Sequence, residues 1–579
     1  MSKSKLLNHL TFCLLVIAIF VLIFDLGFNK NLYIRQILFW FYHISLGISF
    51  LSILFRYFSS SYSPKLSVKI FDLFLLIVIV IDVVVNNFFL YSPSYVIHPL
   101  IYITFFVLFL RELSDLNIIF KRSYFNPAQL FIISFLVLIL LGTGLLMLPK
   151  ATHEGIAFID ALFTATSAVC VTGLVVVDTG SYFTGFGHTI ILILVQFGGI
   201  GIMTFTTYFS YFFRGGTSYE NHLMLKDIVS ADKLSDVFGM LKKIIFFTVG
   251  IELIGAIFIF FNLDQSVFDS GSDQVFFAVF HAISGFCNAG FSTLKHGLVE
   301  VGFRFNYPLQ LILMFLFVLG GIGFPILFNA STYLKHQIFH KWIPQRKKKT
   351  VVHKPWIINV NTRIVLTTTL ILLVGGTFLF YIFEYNNTLA PHSGYGKIVA
   401  AVFGAASPRT AGFNTVPIEV LNLHTIMIVI FLMWIGASPG STGGGIKTST
   451  IALATLNFFS LARGKDRVEV YKREISHNSI RRAFAIISLS LIVTGTSTFL
   501  LITFEDNDNL IALAFEAFSA YSTTGLSMGV TPELSSIGKL IITITMFIGR
   551  VSMINFLVAL LRTVDNQSYH YPTESVLIN

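Results

Sequence analysis

The chain has 579 residues, of which 55% are hydrophobic and only 12% charged; it carries 63 phenylalanines, a mean hydropathy of +0.79 and a formal net charge of +10. No soluble domain needs that much apolar surface, and a bilayer core of about 30 Å takes about 20 apolar residues per helix, so the uncharged runs recurring from end to end describe an all-α polytopic membrane protein. Three cysteines cannot staple a disulfide framework, and the excess of lysine and arginine collects between spans as a topology signal, which argues against nucleic-acid binding.

In chain order, the first apolar stretch, Leu6 to Phe24 behind Lys3 and Lys5, lacks a small-x-small cleavage site and is expected to be a retained span. With spans near 35–56, 67–90 and 96–110 it makes an N-terminal bundle of about four helices, residues 1–120, closed by a basic connector from Arg111 to Gln129. Arginine is almost absent from these spans, so a voltage sensor is not supported, and the bundle reads as an accessory packing or dimer-contact element.

Beyond it, four short segments place small polar residues before a glycine and a large apolar residue: Val171-Thr172-Gly173-Leu174, Asn288-Ala289-Gly290-Phe291, Thr410-Ala411-Gly412-Phe413 and Thr523-Thr524-Gly525-Leu526. The glycines lie 117, 122 and 113 residues apart, which marks four copies of one unit. The expected units are 125–215, 236–335, 360–460 and 478–563, with a basic loop at 336–360 and a short tail at 564–579. Each has an outer span (near 129–149, 240–263, 360–384 and 480–503), a re-entrant half-helix such as Phe158 to Cys170 or Leu510 to Ser522, and a second span (near 186–212, 307–333, 424–458 and 537–562). Ser167, Ser284 and Ser519 lie six residues before their glycines, and Phe163, Phe280 and Phe515 ten before. In the third unit Phe403 and Ser407 are one residue closer, beside Pro408, which predicts a locally different pore loop. Gly198, Gly320, Gly436 and Gly549 echo the repeat in the second spans, where they are expected to face a cavity.

Basic connectors from Lys335 to Arg363 and from Arg463 to Arg482 are expected to be cytoplasmic, and the acids flanking the filters, among them Glu154, Asp178, Asp264, Glu384, Glu505 and Glu533, to face outside. An even number of spans then puts both termini in the cytoplasm.

A selective pore must replace an ion's hydration shell with fixed oxygens, and backbone carbonyls do so only where the chain runs extended with unusual dihedrals that glycine allows. The predicted filter is therefore Val171, Thr172, Gly173, Asn288, Ala289, Gly290, Thr410, Ala411, Gly412, Thr523, Thr524 and Gly525, passing a cation. The run Gly436 to Thr448 interrupts an apolar span with Pro439 and several glycines, and no stable helix would hold it. It reads as an intramembrane loop under the filter, a gate formed by Gly440, Ser441, Thr442, Gly443, Gly444, Gly445 and Lys447. A phosphate-binding loop is the rival reading, but Walker spacing is missing. Arg550, alone in an otherwise uncharged span after Gly549, is expected to form a constriction with that loop. Arg409 is expected to buttress the third pore loop through a carboxylate such as Glu516 or Asp160, and His281 to be a packing residue. The basic run Arg346 to Lys349 either anchors the membrane face or docks an acidic partner surface.

Ser167 to Leu174, Pro408-Arg409-Thr410-Ala411-Gly412-Phe413-Asn414 and Gly440 to Thr448 together resemble the Trk/Ktr/HKT superfamily of potassium transporters over roughly residues 125–565. The resemblance implies a pseudo-fourfold pore, K+ held at the carbonyls of Thr172, Asn288, Thr410 and Thr523, a homodimer in a bacterial cytoplasmic membrane with lipid around it, and no covalent cofactor. It also implies a cytosolic regulatory subunit of the TrkA/KtrA type, through which alone a nucleotide (ATP/ADP or NAD) would act. A serine at the first filter glycine goes with Na+ permeation in that superfamily; Gly173 stands here, so K+ is favoured, with a Na+-permeable or Na+-coupled relative as the alternative. An alternating-access transporter would show inverted repeats and paired intramembrane acids, whereas Asp82 and Glu252 each stand alone in their helix. No catalytic constellation marks an enzyme.

Overall fold

The computed structural model describes residues 3–58, 66–88, 100–115, 127–201, 237–342, 358–506, 509–553 and 556–557. Four apolar helices come first: α1 (Lys3–Gly27), α2 (Leu32–Phe58), α3 (Leu66–Phe88) and α4 (Leu100–Asp115). They pack on each other around Leu15, Leu38, Tyr42, Leu46, Leu75, Ile79 and Phe105. Charge is also buried among them. Arg56 of α2 donates to Glu112 of α4 at 2.6 Å, and Arg111 of α4 to Asp72 of α3 at 2.8 Å. At the opposite end Asp25 takes Lys30 as ion-pair partner and the hydroxyls of Tyr42 and Tyr102 at 3.1 and 2.8 Å. Two sequence expectations change here. Arg111 belongs to a buried helix and not to the connector, and Asp82 does not stand alone in its helix, because Asp72 lies in α3 with it; the Thr104 hydroxyl of α4 donates to Asp82.

The remainder follows one plan four times. The outer helices are α5 (Pro127–Leu146), α9 (Val237–Phe261), α13 (Val360–Glu384) and α17 (His477–Phe504). The half-helices are α6 (Phe158–Val169), α10 (Gly271–Phe286), α14 (Gly394–Ala406) and α18 (Leu510–Ser522); at 12 to 16 residues none can cross a bilayer. A single turn, α7 (Thr179–Tyr182), precedes the second helices, which are α8 (Gly185–Ile200), α11 (Tyr307–Ile322), α15 (Leu423–Trp434) and α19 (Ser536–Val551). Helix α12 (Phe324–Trp342) continues from α11, and α16 (Thr448–Ala462) follows the glycine-rich segment. A two-residue hairpin, β1 (Glu469–Val470) with β2 (Arg473–Glu474), links α16 to α17.

Only the third second span was expected to break, yet all four do. The helices α8, α11 and α19 end at Gly201, Gly323 and Ser552, whose φ values of 86°, 94° and 72° lie in the left-handed region and cannot continue a helix. Between α11 and α12 the chain turns through 104°. The basic loop Arg346 to Lys349, the tail 564–579 and the far part of the span expected at 186–212 lie outside the described residues.

The echo glycines have a packing reason. A methyl added at Gly198, Gly320 or Gly549 would overlap the carbonyl oxygen of Val169, Phe286 or Tyr521 respectively, each four residues before its own filter glycine. These glycines face the end of their own half-helix, not a cavity as expected. Gly436 meets the carbonyl of Gly444 instead, because there the loop fills the space. We expect Gly320→Ala to cost about 1–3 kcal/mol or more by overpacking against immovable backbone, read as a lower unfolding temperature in detergent, while Gly375→Ala, with nothing near its missing methyl, leaves it unchanged or higher.

Candidate functional site

At the C-terminal end of each half-helix the chain reverses its twist. Two residues before each filter glycine stands a non-glycine residue with positive φ: Val171 (57°), Asn288 (61°), Thr410 (73°) and Thr523 (51°). The glycines follow at 90°, 70°, 78° and 87° for Gly173, Gly290, Gly412 and Gly525. Left-handed non-glycine residues are held only where their surroundings over-determine them, and here serine does so. Ser167 Oγ donates to the Leu174 carbonyl at 2.7 Å and accepts from Gly173 N at 3.1 Å. Ser284 donates to the Phe291 carbonyl at 2.8 Å, Ser407 to that of Phe413, and Ser519 accepts from Gly525 N at 3.1 Å. The one-residue slip in the third unit is absorbed locally, since Ser407 still reaches the residue after its glycine.

The four segments close on one another. A methyl at Gly173 would overlap the carbonyl oxygen of Ala289; one at Gly290 would lie 2.9 Å from that of Ala411; one at Gly412 would overlap that of Thr524; and one at Gly525 that of Thr172. Unit one thus meets two, two meets three, three meets four, and four meets one. In this register Thr172 is equivalent to Ala289, Ala411 and Thr524, whereas Asn288, Thr410 and Thr523 are equivalent to Val171.

Directly beneath lies the glycine-rich loop, held by side chains of the filter itself. Thr442 Oγ1 donates to Asn288 Oδ1 at 3.2 Å, Asn288 Nδ2 to Thr410 Oγ1 at 3.1 Å, and Gly444 N to Thr523 Oγ1 at 2.9 Å. Gly443 and Gly444 must lack side chains, because a methyl on either would overlap the hydroxyl of Thr410 or Thr523. Gly440 and Gly445 turn the loop at φ of 70° and 68°, and Ser441 Oγ closes the turn on the Ser438 carbonyl at 2.6 Å. Gly440 also accepts from Phe324 N at 3.0 Å, tying the loop to the break between α11 and α12. Lys447 Nζ donates to the Gly443 and Gly444 carbonyls at 2.7 and 3.4 Å, and Arg550 donates to the carbonyls of Thr442 and Gly198. With its lysine bonded inward to its own backbone, the loop has no phosphate cradle.

The carboxylates expected for Arg409 are taken by others. Glu516 accepts from Ser527 Oγ, Met528 N and Thr531 Oγ1 at 2.6, 3.0 and 2.7 Å, and Asp160 pairs with Lys539 of α19 at 2.7 Å. The Nε of Arg409 meets no hydrogen-bond partner among the described residues, and its side chain lines a cavity with Phe317, Thr369 and Leu373. His281 does pack as expected, its ring nitrogens bonded to the Phe277 carbonyl at 2.9 Å and to Ser292 Oγ at 2.9 Å. Glu384 is not an exposed mouth acid; it is fully buried and accepts from Asn422 N at 2.9 Å and Thr425 Oγ1 at 2.6 Å, satisfying the N-terminus of α15. Glu252, alone in its own helix, takes Gln196 Nε2 of α8 at 3.0 Å. Asp160 with Lys539 and Glu252 with Gln196 join different units, whereas Glu384 and Glu516 meet partners within their own, none at a spacing that a sequence pattern marks.

Removing one strap tests the scheme. Ser167→Ala leaves the Gly173 N–H and Leu174 carbonyl unsatisfied in a dry site, for an expected loss of about 1–3 kcal/mol, seen as a lower thermal midpoint of the purified protein.

Residues 102–570 match the family model described as TrkH, cation transport protein. The Ktr system potassium uptake proteins B and D of Bacillus subtilis are 36% and 34% identical over 462 and 455 residues, covering 79% and 78% of this chain and 98% and 97% of their own. The potassium/sodium uptake protein NtpJ of Enterococcus hirae is 33% identical, covering 79% of this chain and 98% of its own. In fold, the chain is similar to the potassium transporter TrkH of Vibrio parahaemolyticus, with a TM-score of 0.60 at 17% identity, covering 90% of this chain and 98% of that one.

Proposed function

We infer that this chain, which belongs to the TrkH family of cation transport proteins, takes up potassium through a selective, gated transmembrane pore. The observation that carries the reading is the closed ring in which each filter glycine abuts the carbonyl of the next unit. Four backbones crowd one axis there, and the carbonyls of Thr172, Ala289, Ala411 and Thr524 form one layer of oxygens for a dehydrated K+. The residues one step earlier, Val171, Asn288, Thr410 and Thr523, supply a second layer, so the oxygen set differs in register from the four carbonyls named from sequence. The half-helix ends add negative potential at the same point.

The loop Gly440 to Lys447 and Arg550 form the gate below the filter. The basic connectors face the cytoplasm, both termini lie there, and the protein sits as a homodimer in the bacterial cytoplasmic membrane. A cytosolic nucleotide-binding subunit of the TrkA/KtrA type moves the loop. The system name carried by the Bacillus relatives supports such a partner. A phosphate-binding or enzymatic role finds no support in a loop whose lysine is turned onto its own carbonyls.

The test is radiolabelled Rb+ uptake into liposomes containing the purified protein, with K+, Na+ and Li+ as competitors. K+ should compete and Na+ should not. In Gly173→Ser the new side chain meets the Ala289 carbonyl at a φ of 90°, so the ring must open and the preference for K+ over Na+ should fall at least about tenfold, a loss of roughly 1.4 kcal/mol of discrimination. Equal competition by Na+ in the wild type would instead favour a Na+-permeable relative.

A further inference from the structure

Two cations lie in the gate with no carboxylate to meet them. Lys447 Nζ is bonded to the carbonyls of Gly443 and Gly444, and Arg550 to that of Thr442, so three consecutive loop oxygens are each capped by a side-chain cation. A charge buried at membrane depth must be compensated. Among the described residues no acid hydrogen-bonds either of these two. The loop that carries them packs on half-helix ends: the Thr442 hydroxyl donates to the Phe286 carbonyl of α10, and a methyl at Gly444 would lie 3.1 Å from the Ser522 carbonyl of α18. Each such end is worth roughly half a negative charge, a field that favours a monovalent cation at the loop.

We propose that the Lys447 ammonium is a tethered stand-in for the transported ion: it occupies a gate-level monovalent-cation site made of the Gly443 and Gly444 carbonyls, and opening exchanges it for a K+. The proposal rests on the gate reading above and adds a second ion site to it. The chemistry is matched, since an ammonium on a flexible four-carbon stem is a compact monovalent charge that can leave and return. Arg550 differs. Its guanidinium bridges the loop to the Gly198 carbonyl of α8 and is a fixed brace between units. The placement also explains why the loop needs glycine at 443 and 444: their carbonyls serve the ammonium while their α-carbons press on Thr410 and Thr523.

The experiment measures Rb+ flux through the full-length protein in liposomes without any regulatory partner, for wild type, Lys447→Ala, Lys447→Met and Arg550→Ala, with and without n-propylammonium. Removing the ammonium should raise partner-free flux about tenfold in both lysine variants. Propylammonium should then close Lys447→Ala again by refilling the vacated site, while leaving wild type and Arg550→Ala untouched. Lys447→Met, which keeps the side-chain bulk, separates loss of charge from loss of packing. Raised flux that propylammonium does not reduce would overturn the proposal, because it would mean that the loop had merely loosened. Unchanged flux in the lysine variants beside a leaking Arg550→Ala would overturn it while sparing the gate, and unchanged flux in all three would sink the gate reading too.

Discussion

Four peptide backbones must approach one axis closely enough to point carbonyls at it, and everything else in the pore domain follows from that demand. No side chain fits at Gly173, Gly290, Gly412 or Gly525, because each faces a carbonyl of the neighbouring unit. Non-helical backbone at this depth has no water to bond, so its polar groups must be met by protein. Ser167, Ser284 and Ser519 meet them from the last turn of their half-helices, and Ser407 from just past the end of α14. The half-helices in turn must be held at their ends, which is why Gly198, Gly320 and Gly549 admit the second helices to within contact of the Val169, Phe286 and Tyr521 carbonyls.

The same crowding couples the ring of glycine segments to the glycine-rich loop. Side chains at Asn288 and Thr523 accept hydrogen bonds from the loop, and Thr410 packs against Gly443 while accepting from Asn288. The fourth position is Val171, which has no hydrogen-bonding group, and on that side Arg550 bridges the loop to Gly198. The loop is therefore docked asymmetrically: hydrogen bonds to Asn288 and Thr523, packing against Thr410, and a guanidinium brace to the first unit. Displacing it breaks bonds to Asn288 and Thr523 of the ring itself, so movement of the loop and the geometry of the ring cannot be independent.

The parts legible in sequence were those enforced by steric exclusion. Glycine spacing revealed the four glycine segments that abut one another, the serines and phenylalanines revealed the half-helices, and Pro439 with its glycines revealed the loop. The breaks after α8, α11 and α19 were missed, although Gly199-Ile200-Gly201 and Gly321-Ile322-Gly323 carry a second glycine at the breaking position. That signal was masked because Ser552, at the equivalent place in the fourth unit, adopts positive φ without being glycine. Polar pairings were illegible for a different reason. Which side chain meets which depends on helix packing, across units for Asp160 with Lys539 and within one unit for Glu384 with Thr425, so neither leaves a local trace.

The N-terminal bundle shows how such pairings can make a module self-sufficient in lipid. Matched relatives are covered over 97–98% of their length by 78–79% of this chain, and the family match begins at residue 102, so α1 to α3 precede it. An unpaired arginine or aspartate in a bilayer costs several kcal/mol, but Arg56 with Glu112 and Arg111 with Asp72 satisfy each other across helices. Lipid-facing positions such as Phe20, Ile44, Phe55 and Phe74 stay apolar and exposed. The exchange of charge is therefore internal to the bundle. Among the described residues it meets the first unit through main chain and apolar packing: Lys150 N donates to the Gly27 carbonyl at 3.1 Å, and Gly27 leaves room for Leu148. A module bound in that way can be appended to the first unit without altering the electrostatics of the ring, which depends on backbone alone.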